Sequence, residues 1–208
     1  MERWYREKVV LLNIPDPEYK KILFFVAPKE YCDHIHLGIM AQQKATDVIL
    51  PIFNHYNRFG SSRYVHGQTS KEVHPTTKSH VNFVVADTEK WEQIGAKTLE
   101  ELEPVESYVK NAFLGFQIPY VAKGRDRLYF PDFIARCVTP GGARVNLIIE
   151  LTGMNQDKAE KRWYVENRWL PAVNAVRDRY GMDRWEFVEI ANDIRDIKTQ
   201  LLAKINSL

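Results

Sequence analysis

The chain has 208 residues, of which 45% are hydrophobic and 27% are charged, and these proportions exclude a collagen-like, disordered or coiled-coil protein. Its 29 Lys and Arg residues against 27 Asp and Glu residues give a net charge of +2. That balance excludes a polycationic protein that coats nucleic acid, but it allows a local basic patch. Only Cys32 and Cys137 are present, too few for a disulfide framework or a zinc ribbon, which favours a reducing, intracellular setting.

The front of the chain carries no targeting signal of the secretory type. Residues 1–8 do not lead into an apolar signal-peptide core, and the longest apolar run nearby, residues 22–27, is too short to cross a bilayer. We therefore expect a cytoplasmic protein without a membrane anchor.

The residue composition and the regularity of the hydrophobic pattern change near residue 86, which predicts two regions. The first, residues 1–86, mixes short apolar runs with Pro, His and Asn and is expected to be a smaller α/β connector. Its expected elements are strands at 9–12 and 22–26, a helix at 36–52 and a long connection at 59–79.

The second region, residues 87–208, is more regular. A helix capped by Asp87 and Thr88 is expected to end at Pro104. The pattern then predicts strands at 105–109, 116–120, 128–138 and 145–151, with a turn at 139–142 between the last two. A helix at about 156–169 that stops before Pro171, a strand at 185–190 and a helix at 193–208 follow. The fold class is therefore α/β, with a mixed central sheet flanked by helices.

Two carboxylates stand out in this second region. Asp132 and Glu150 each lie among apolar residues, on the two strands that the turn at 139–142 joins. Either one alone could be an ordinary strand-edge carboxylate. Burying a lone carboxylate is costly, but adjacent strands can bring both to one edge, where they would share a cation. Mg²⁺ binds through one or two carboxylates and keeps several waters, which leaves room for a phosphate oxygen and an attacking water.

The same residues resemble a known family. Pro131-Asp132 followed by Glu150-Leu151-Thr152 is similar to the PD-(D/E)XK nuclease motif. Further blocks in the same order, between about 64 and 190, resemble the C-terminal endonuclease region of type III restriction enzyme subunits. These blocks are residues 75–82, 91–92, 108–111, 114–116, 118–120 and 169–174.

The resemblance implies a Mg²⁺-dependent endonuclease domain, with Mn²⁺ as a possible substitute, that cuts double-stranded DNA. It implies a restriction-endonuclease-like core at 87–208, with 1–86 as the connector from a helicase-like motor. The chain itself has no P-loop motif. In such systems a separate methyltransferase or recognition subunit usually chooses the sequence, and cutting both strands favours a homodimer.

By the same resemblance, Asp132 and Glu150 are the metal-binding carboxylates, the backbone carbonyl of Leu151 is a third ligand, and Glu92 helps to hold a metal water. The family has a lysine where this chain has Thr152, which can hydrogen-bond a water but supplies no charge.

Two interpretations of Thr152 stay open. Lys158, or Lys161 on the same helical face, replaces the missing lysine. Alternatively, the domain is an inactive nuclease fold that binds DNA or docks a motor. A third hypothesis is an interaction domain that binds no nucleic acid. Candidates for contacts with DNA phosphates are Lys78, Lys123, Arg125, Arg127, Arg144, Lys161, Arg162 and Arg168.

Overall fold

The computed structural model describes residues 50, 51, 53, 60–85, 90–122, 125–152, 158–191 and 194–208. The chain divides into two compact units, Met1–Ala45 and Thr46–Leu208, and every element below belongs to the second. The predicted strands at 9–12 and 22–26, most of the helix at 36–52 and the predicted cap at Asp87 and Thr88 lie outside the described residues. The division predicted near residue 86 stays a prediction.

The described part of the second unit contains eight strands and five α-helices. In chain order they are β1 (Val73–Pro75), β2 (Phe83–Val85), α1 (Lys90–Glu101), β3 (Val105–Lys110), β4 (Ile118–Ala122), β5 (Arg125–Tyr129), β6 (Phe133–Val138), β7 (Arg144–Thr152), α2 (Lys158–Tyr164), α3 (Leu170–Ala175), α4 (Arg177–Tyr180), β8 (Arg184–Ala191) and α5 (Ile197–Asn206). No described helix combines the length and the apolar character needed to cross a membrane.

Four strands form a central sheet in the order β3-β6-β7-β8. β3, β6 and β7 pair antiparallel, whereas β8 runs parallel to β7. A parallel neighbour requires a crossover connection, and the helices between β7 and β8 supply it. The prediction of an α/β fold with a mixed central sheet flanked by helices is therefore confirmed.

The sheet separates two hydrophobic cores because successive side chains of a strand point to opposite faces. On β7, Leu147 and Ile149 join the core formed with α1 and α5. Ile148 between them joins the other core, with Tyr129 of β5 and Val165. Glu150 follows Ile148 by two residues and so lies on that second face.

The predicted strand at 128–138 is wrong as one continuous element. β5 ends at Tyr129 and β6 begins at Phe133. Pro131 lies in the gap, and proline has no N–H to continue a ladder. β5 instead pairs with β4 in a separate two-stranded ribbon. The break leaves Asp132 at the entrance of β6.

The helix predicted to stop before Pro171 continues past it. A π-helical segment, Val165–Trp169, follows α2 directly, and Pro171 then lies in the first turn of α3. The N–H of Leu170 donates to the carbonyl of Val165, five residues back, so the turn before Pro171 is wider than an α-helical turn. Such a widened turn accommodates a residue that has no N–H to donate.

The predicted long connection at 59–79 is also partly structured, since β1 pairs with β2 and the N–H of His80 donates to the carbonyl of Tyr108 at 2.9 Å.

Candidate functional site

The register between β6 and β7 brings the two predicted carboxylates together. Phe133 pairs with Ile149, so Asp132, one residue before Phe133, comes opposite Glu150. The backbone N–H of Leu151 donates to Oδ2 of Asp132 at 2.7 Å. The N–H and carbonyl of one strand residue point to the same edge, so the carbonyl of Leu151 also faces the side of Asp132.

Glu150 is buried and both of its carboxylate oxygens are hydrogen-bonded. Oε2 accepts from the hydroxyl of Tyr129 at 2.8 Å, and Oε1 accepts from Nζ of Lys161 at 2.5 Å. The Lys161 ammonium also lies 4.3 Å from the centroid of the Tyr129 ring. Removing one partner of a buried ion pair leaves a charge whose burial costs several kcal/mol, so this set of three side chains is mutually dependent.

Of the two lysines offered as replacements for the motif lysine, Lys161 is the one with a described contact to the site. Lys158 begins α2 and Thr152 ends β7, but the side chains of both lie outside the described part of the chain. Lys161 is three residues further along α2, and its side chain is only 14% exposed. The structure thus brings Asp132, Glu150 and Lys161 to one end of the sheet.

Glu92 lies at the same end of the sheet but on the α1 face. It is in the first turn of α1, and its carboxylate accepts a hydrogen bond from the ammonium of Lys110, the last residue of β3. A Cβ at Gly95 would lie 2.8 Å from Cδ1 of Leu151, so a larger residue at this position would force the Leu151 side chain or α1 to shift. The close approach of α1 to β7 carries Glu92 to the end of the sheet.

The charge of Asp132 is incompletely compensated. The pKa of its carboxyl group is raised to about 6, chiefly by burial and next by the carboxylate of Glu150. Glu92 acts in the same direction, whereas the Leu151 N–H and the Lys110 ammonium lower the pKa. The two groups that lower the pKa have less effect than the groups that raise it. The negative charge of ionised Asp132 is therefore not balanced by a matching cation.

A third carboxylate, which the sequence analysis missed, lies beside the pair. Glu189 of β8 is the register partner of Glu150. Its side chain is 11% exposed, and its Oε2 accepts from Nη1 of Arg162 at 3.5 Å. Asp132, Glu150 and Glu189 therefore occupy matching positions on three adjacent strands. Tyr129 and Lys110 were also missed as members of the site, because each contacts a residue about twenty positions away through tertiary packing, on which the sequence pattern gives no information.

The donor set suits a hard divalent cation. Two carboxylates and a backbone carbonyl offer oxygen ligands of the kind that Mg²⁺ prefers, and Mg²⁺ needs only one or two carboxylates from a protein. The raised pKa of Asp132 points to the same place, since a cation there would supply the missing countercharge. Within the described residues there is no group of three or more His, Cys, Asp or Glu side chains arranged to hold a metal ion.

The predicted phosphate-binding cations differ in exposure and in the contacts that they make. Arg125 and Arg127 are exposed on β5, next to Tyr129 along the strand. Others make contacts within the domain: Lys78 donates to the carbonyl of Leu102 at 2.7 Å, and Arg144 pairs with Glu106 at 3.0 Å. Arg168 is buried, and Lys123 lies outside the described residues.

Comparison of the chain with protein-family models, with curated proteins and with solved structures finds no match.

Proposed function

We propose that the second unit is a Mg²⁺-dependent DNA endonuclease domain of the type III restriction kind, with a restriction-endonuclease-like core. The observation that carries the proposal is the pairing of Asp132 with Glu150 across β6 and β7, with Lys161 within hydrogen-bonding distance of Glu150. The order of elements supports it: α1, then antiparallel β3, β6 and β7, then helices, then β8 parallel to β7.

In this proposal Asp132, Glu150 and the carbonyl of Leu151 hold Mg²⁺, and Mn²⁺ fits the same oxygen donors. The ion, when bound, supplies Lewis acidity toward a phosphodiester and an activated water. Lys161 would then turn from Glu150 toward the scissile phosphate and stabilise the negative charge that grows there. Glu92, held by Lys110, orients water at the α1 side of the site.

Double-stranded DNA is the proposed substrate, and the exposed Arg125 and Arg127 contact its phosphates. Such contacts set affinity and register but not sequence choice. A helicase motor, a methyltransferase subunit and a second copy of the domain are the proposed partners for translocation, sequence choice and cutting of the second strand.

The test is cleavage of supercoiled and linear DNA by the purified chain with Mg²⁺ or Mn²⁺. Asp132→Ala and Glu150→Gln should lower the cleavage rate at least about 100-fold, since each removes a charge that acts on the transition state. Asp183→Asn is the matched control, because Asp183 lies away from the site, where it forms an ion pair with Arg136 at 2.5 Å. Cleavage that survives Asp132→Ala would come from a contaminant or from another site and would refute the proposal.

A second candidate function is a nuclease fold that binds DNA without cutting it. The observation that favours it is that both oxygens of Glu150 already accept hydrogen bonds from protein donors, while Thr152 stands in place of the motif lysine. This alternative predicts DNA binding that weakens steeply with salt and shows no metal-dependent cleavage.

A further inference from the structure

Tyr129 contacts both partners of the ion pair between Glu150 and Lys161. Its hydroxyl donates to one oxygen of Glu150 at 2.8 Å, and its ring lies 4.3 Å from the ammonium of Lys161, which itself donates to the other oxygen.

We propose that Tyr129 is a positioning residue of the nuclease site, which fixes the Glu150 carboxylate through its hydroxyl and retains the Lys161 ammonium through its ring. This inference rests on the proposed function. In this role the buried Tyr129 keeps Lys161 beside the metal-binding carboxylates after Lys161 has left Glu150 for a phosphate oxygen.

The ring of Tyr129 is well suited to this role because it cannot move freely. Tyr129 is 3% exposed, pairs with Ile118 across the ribbon of β4 and β5, and packs in the core with Ile148, Val165 and Phe187. A donor held by a rigid core keeps its direction without further loss of entropy. Hydrogen bonds from residues behind the metal ligands orient those ligands in metal sites.

The second task follows from the charges. A cation between Asp132 and Glu150 would compete with Lys161 for the oxygens of Glu150. The face of an aromatic ring attracts an ammonium group, so Lys161 keeps a favourable contact when its bond to Glu150 breaks. The lysine then stays close enough to place its positive charge beside a phosphate oxygen. Thr152 cannot do this, because its side chain carries no charge.

The first arm of the test reads the position of Lys161 without any metal or DNA. The protein is labelled by reductive ¹³C-methylation of its lysines, and the Lys161 resonance is assigned by its loss in Lys161→Arg. Because the Lys161 methyl groups would lie over the face of the Tyr129 ring, their signal is expected upfield of the methyl signals of the other lysines. Tyr129→Phe, which keeps the ring, should retain that shift, and Tyr129→Leu should abolish it. An unshifted Lys161 signal in the unchanged protein would overturn the proposal.

The second arm measures Mg²⁺ affinity by calorimetry and steady-state cleavage of DNA. Tyr129→Phe should weaken Mg²⁺ binding or lower kcat by about 10–100-fold, the usual cost of losing an outer-shell partner. KM for DNA should change less than about twofold, because a residue that acts through Glu150 and Lys161 alters the reacting groups rather than uniform substrate binding. Tyr108→Phe is the matched control: Tyr108 is as buried as Tyr129, and its hydroxyl lies beside Glu100 on the other face of the sheet.

The outcomes separate the two proposals. Normal kcat and Mg²⁺ affinity in Tyr129→Phe, with the unchanged protein active, would overturn the role of Tyr129 and leave the nuclease intact. A protein that binds Mg²⁺ and loses affinity in Tyr129→Phe, yet cuts no DNA, would support the positioning role and refute the endonuclease. Absence of both Mg²⁺ binding and cleavage in the unchanged protein would overturn both.

Discussion

Replacing Asp132 by asparagine should abolish cleavage and at the same time stabilise the protein in the absence of divalent metal. The pKa of Asp132 is about 6 instead of its ordinary value of 3.8. The native state therefore binds the Asp132 proton more tightly than the unfolded chain does. The unfavourable effect of the ionised carboxylate is absent below pH 3.8, grows as the pH rises between 3.8 and 6, and is complete above about pH 6.

The size of the effect follows from that difference. At about 1.4 kcal/mol for each tenfold change in proton affinity, ionised Asp132 costs about 3 kcal/mol at pH 8. Partial exposure to solvent reduces this figure to about 1.5–3 kcal/mol. For a domain of this size the gain corresponds to a rise of about 3–10 °C in Tm. The oxygen of an asparagine can still accept the hydrogen bond from the Leu151 N–H, so that contact is kept.

The assay is thermal unfolding in EDTA of the unchanged protein and Asp132→Asn at pH 8, 6 and 4.5. The difference in Tm should be largest at pH 8 and should shrink toward pH 4.5. Glu186→Gln is the control, because Glu186 is buried but paired with Lys204 at 2.9 Å and with Arg184, so that its neutralisation should lower Tm. An equal Tm for Asp132→Asn and the unchanged protein at pH 8, or a gain that does not depend on pH, would refute the reasoning.

Three further changes test separate parts of the site. Lys161→Met should lower the cleavage rate at least about tenfold and cost about 3 kcal/mol in urea unfolding, since it leaves Glu150 without its cation; an unchanged rate and stability would contradict the role of this ion pair. Gly95→Ala adds a methyl group 2.8 Å from a side chain of β7, so an overpacking cost of about 1–3 kcal/mol should outweigh the helix-propensity gain of about 1 kcal/mol, and a rise in Tm would show that α1 is free to move away. Asn111→Ala removes two hydrogen bonds to the backbone of Phe116, at 2.7 and 3.0 Å, and should cost about 1–3 kcal/mol in the same unfolding assay; no loss of stability would mean that the loop after β3 does not need this contact.

The position of Asp132 opposite Glu150 was predictable because a short turn fixes the register of the two strands that it joins. Once residues 139–142 are recognised as a turn, the antiparallel pairing of β6 and β7 decides which residues lie opposite each other. The alternation of side chains then places both carboxylates on one face.

The partners of the carboxylates were not predictable in the same way. Tyr129 reaches Glu150 only because the chain breaks at Pro131, so that β5 leaves the central sheet and pairs with β4. Residues on both sides of Pro131 are rich in aromatic and β-branched types, and that composition favoured one long strand over 128–138. The contact between Lys161 and Glu150 depends on how α2 packs against the sheet, and helical spacing alone does not distinguish Lys161 from Lys158.

The balance of charge at the end of the sheet predicts how metal and DNA would affect each other's binding if the proposed function is right. Asp132, Glu150 and Glu92 carry three negative charges, and Lys110 and Lys161 carry two positive charges, so one negative charge is left over. A divalent cation alone would change this to one positive charge, and a phosphodiester alone would make the repulsion worse. Only the two together leave the five side chains neutral overall. Each ligand should therefore tighten the other, by a factor that is the same in both directions. Calorimetric titration of Mg²⁺ with and without a short DNA duplex measures that factor, and independent binding of the two ligands would contradict this account of the site.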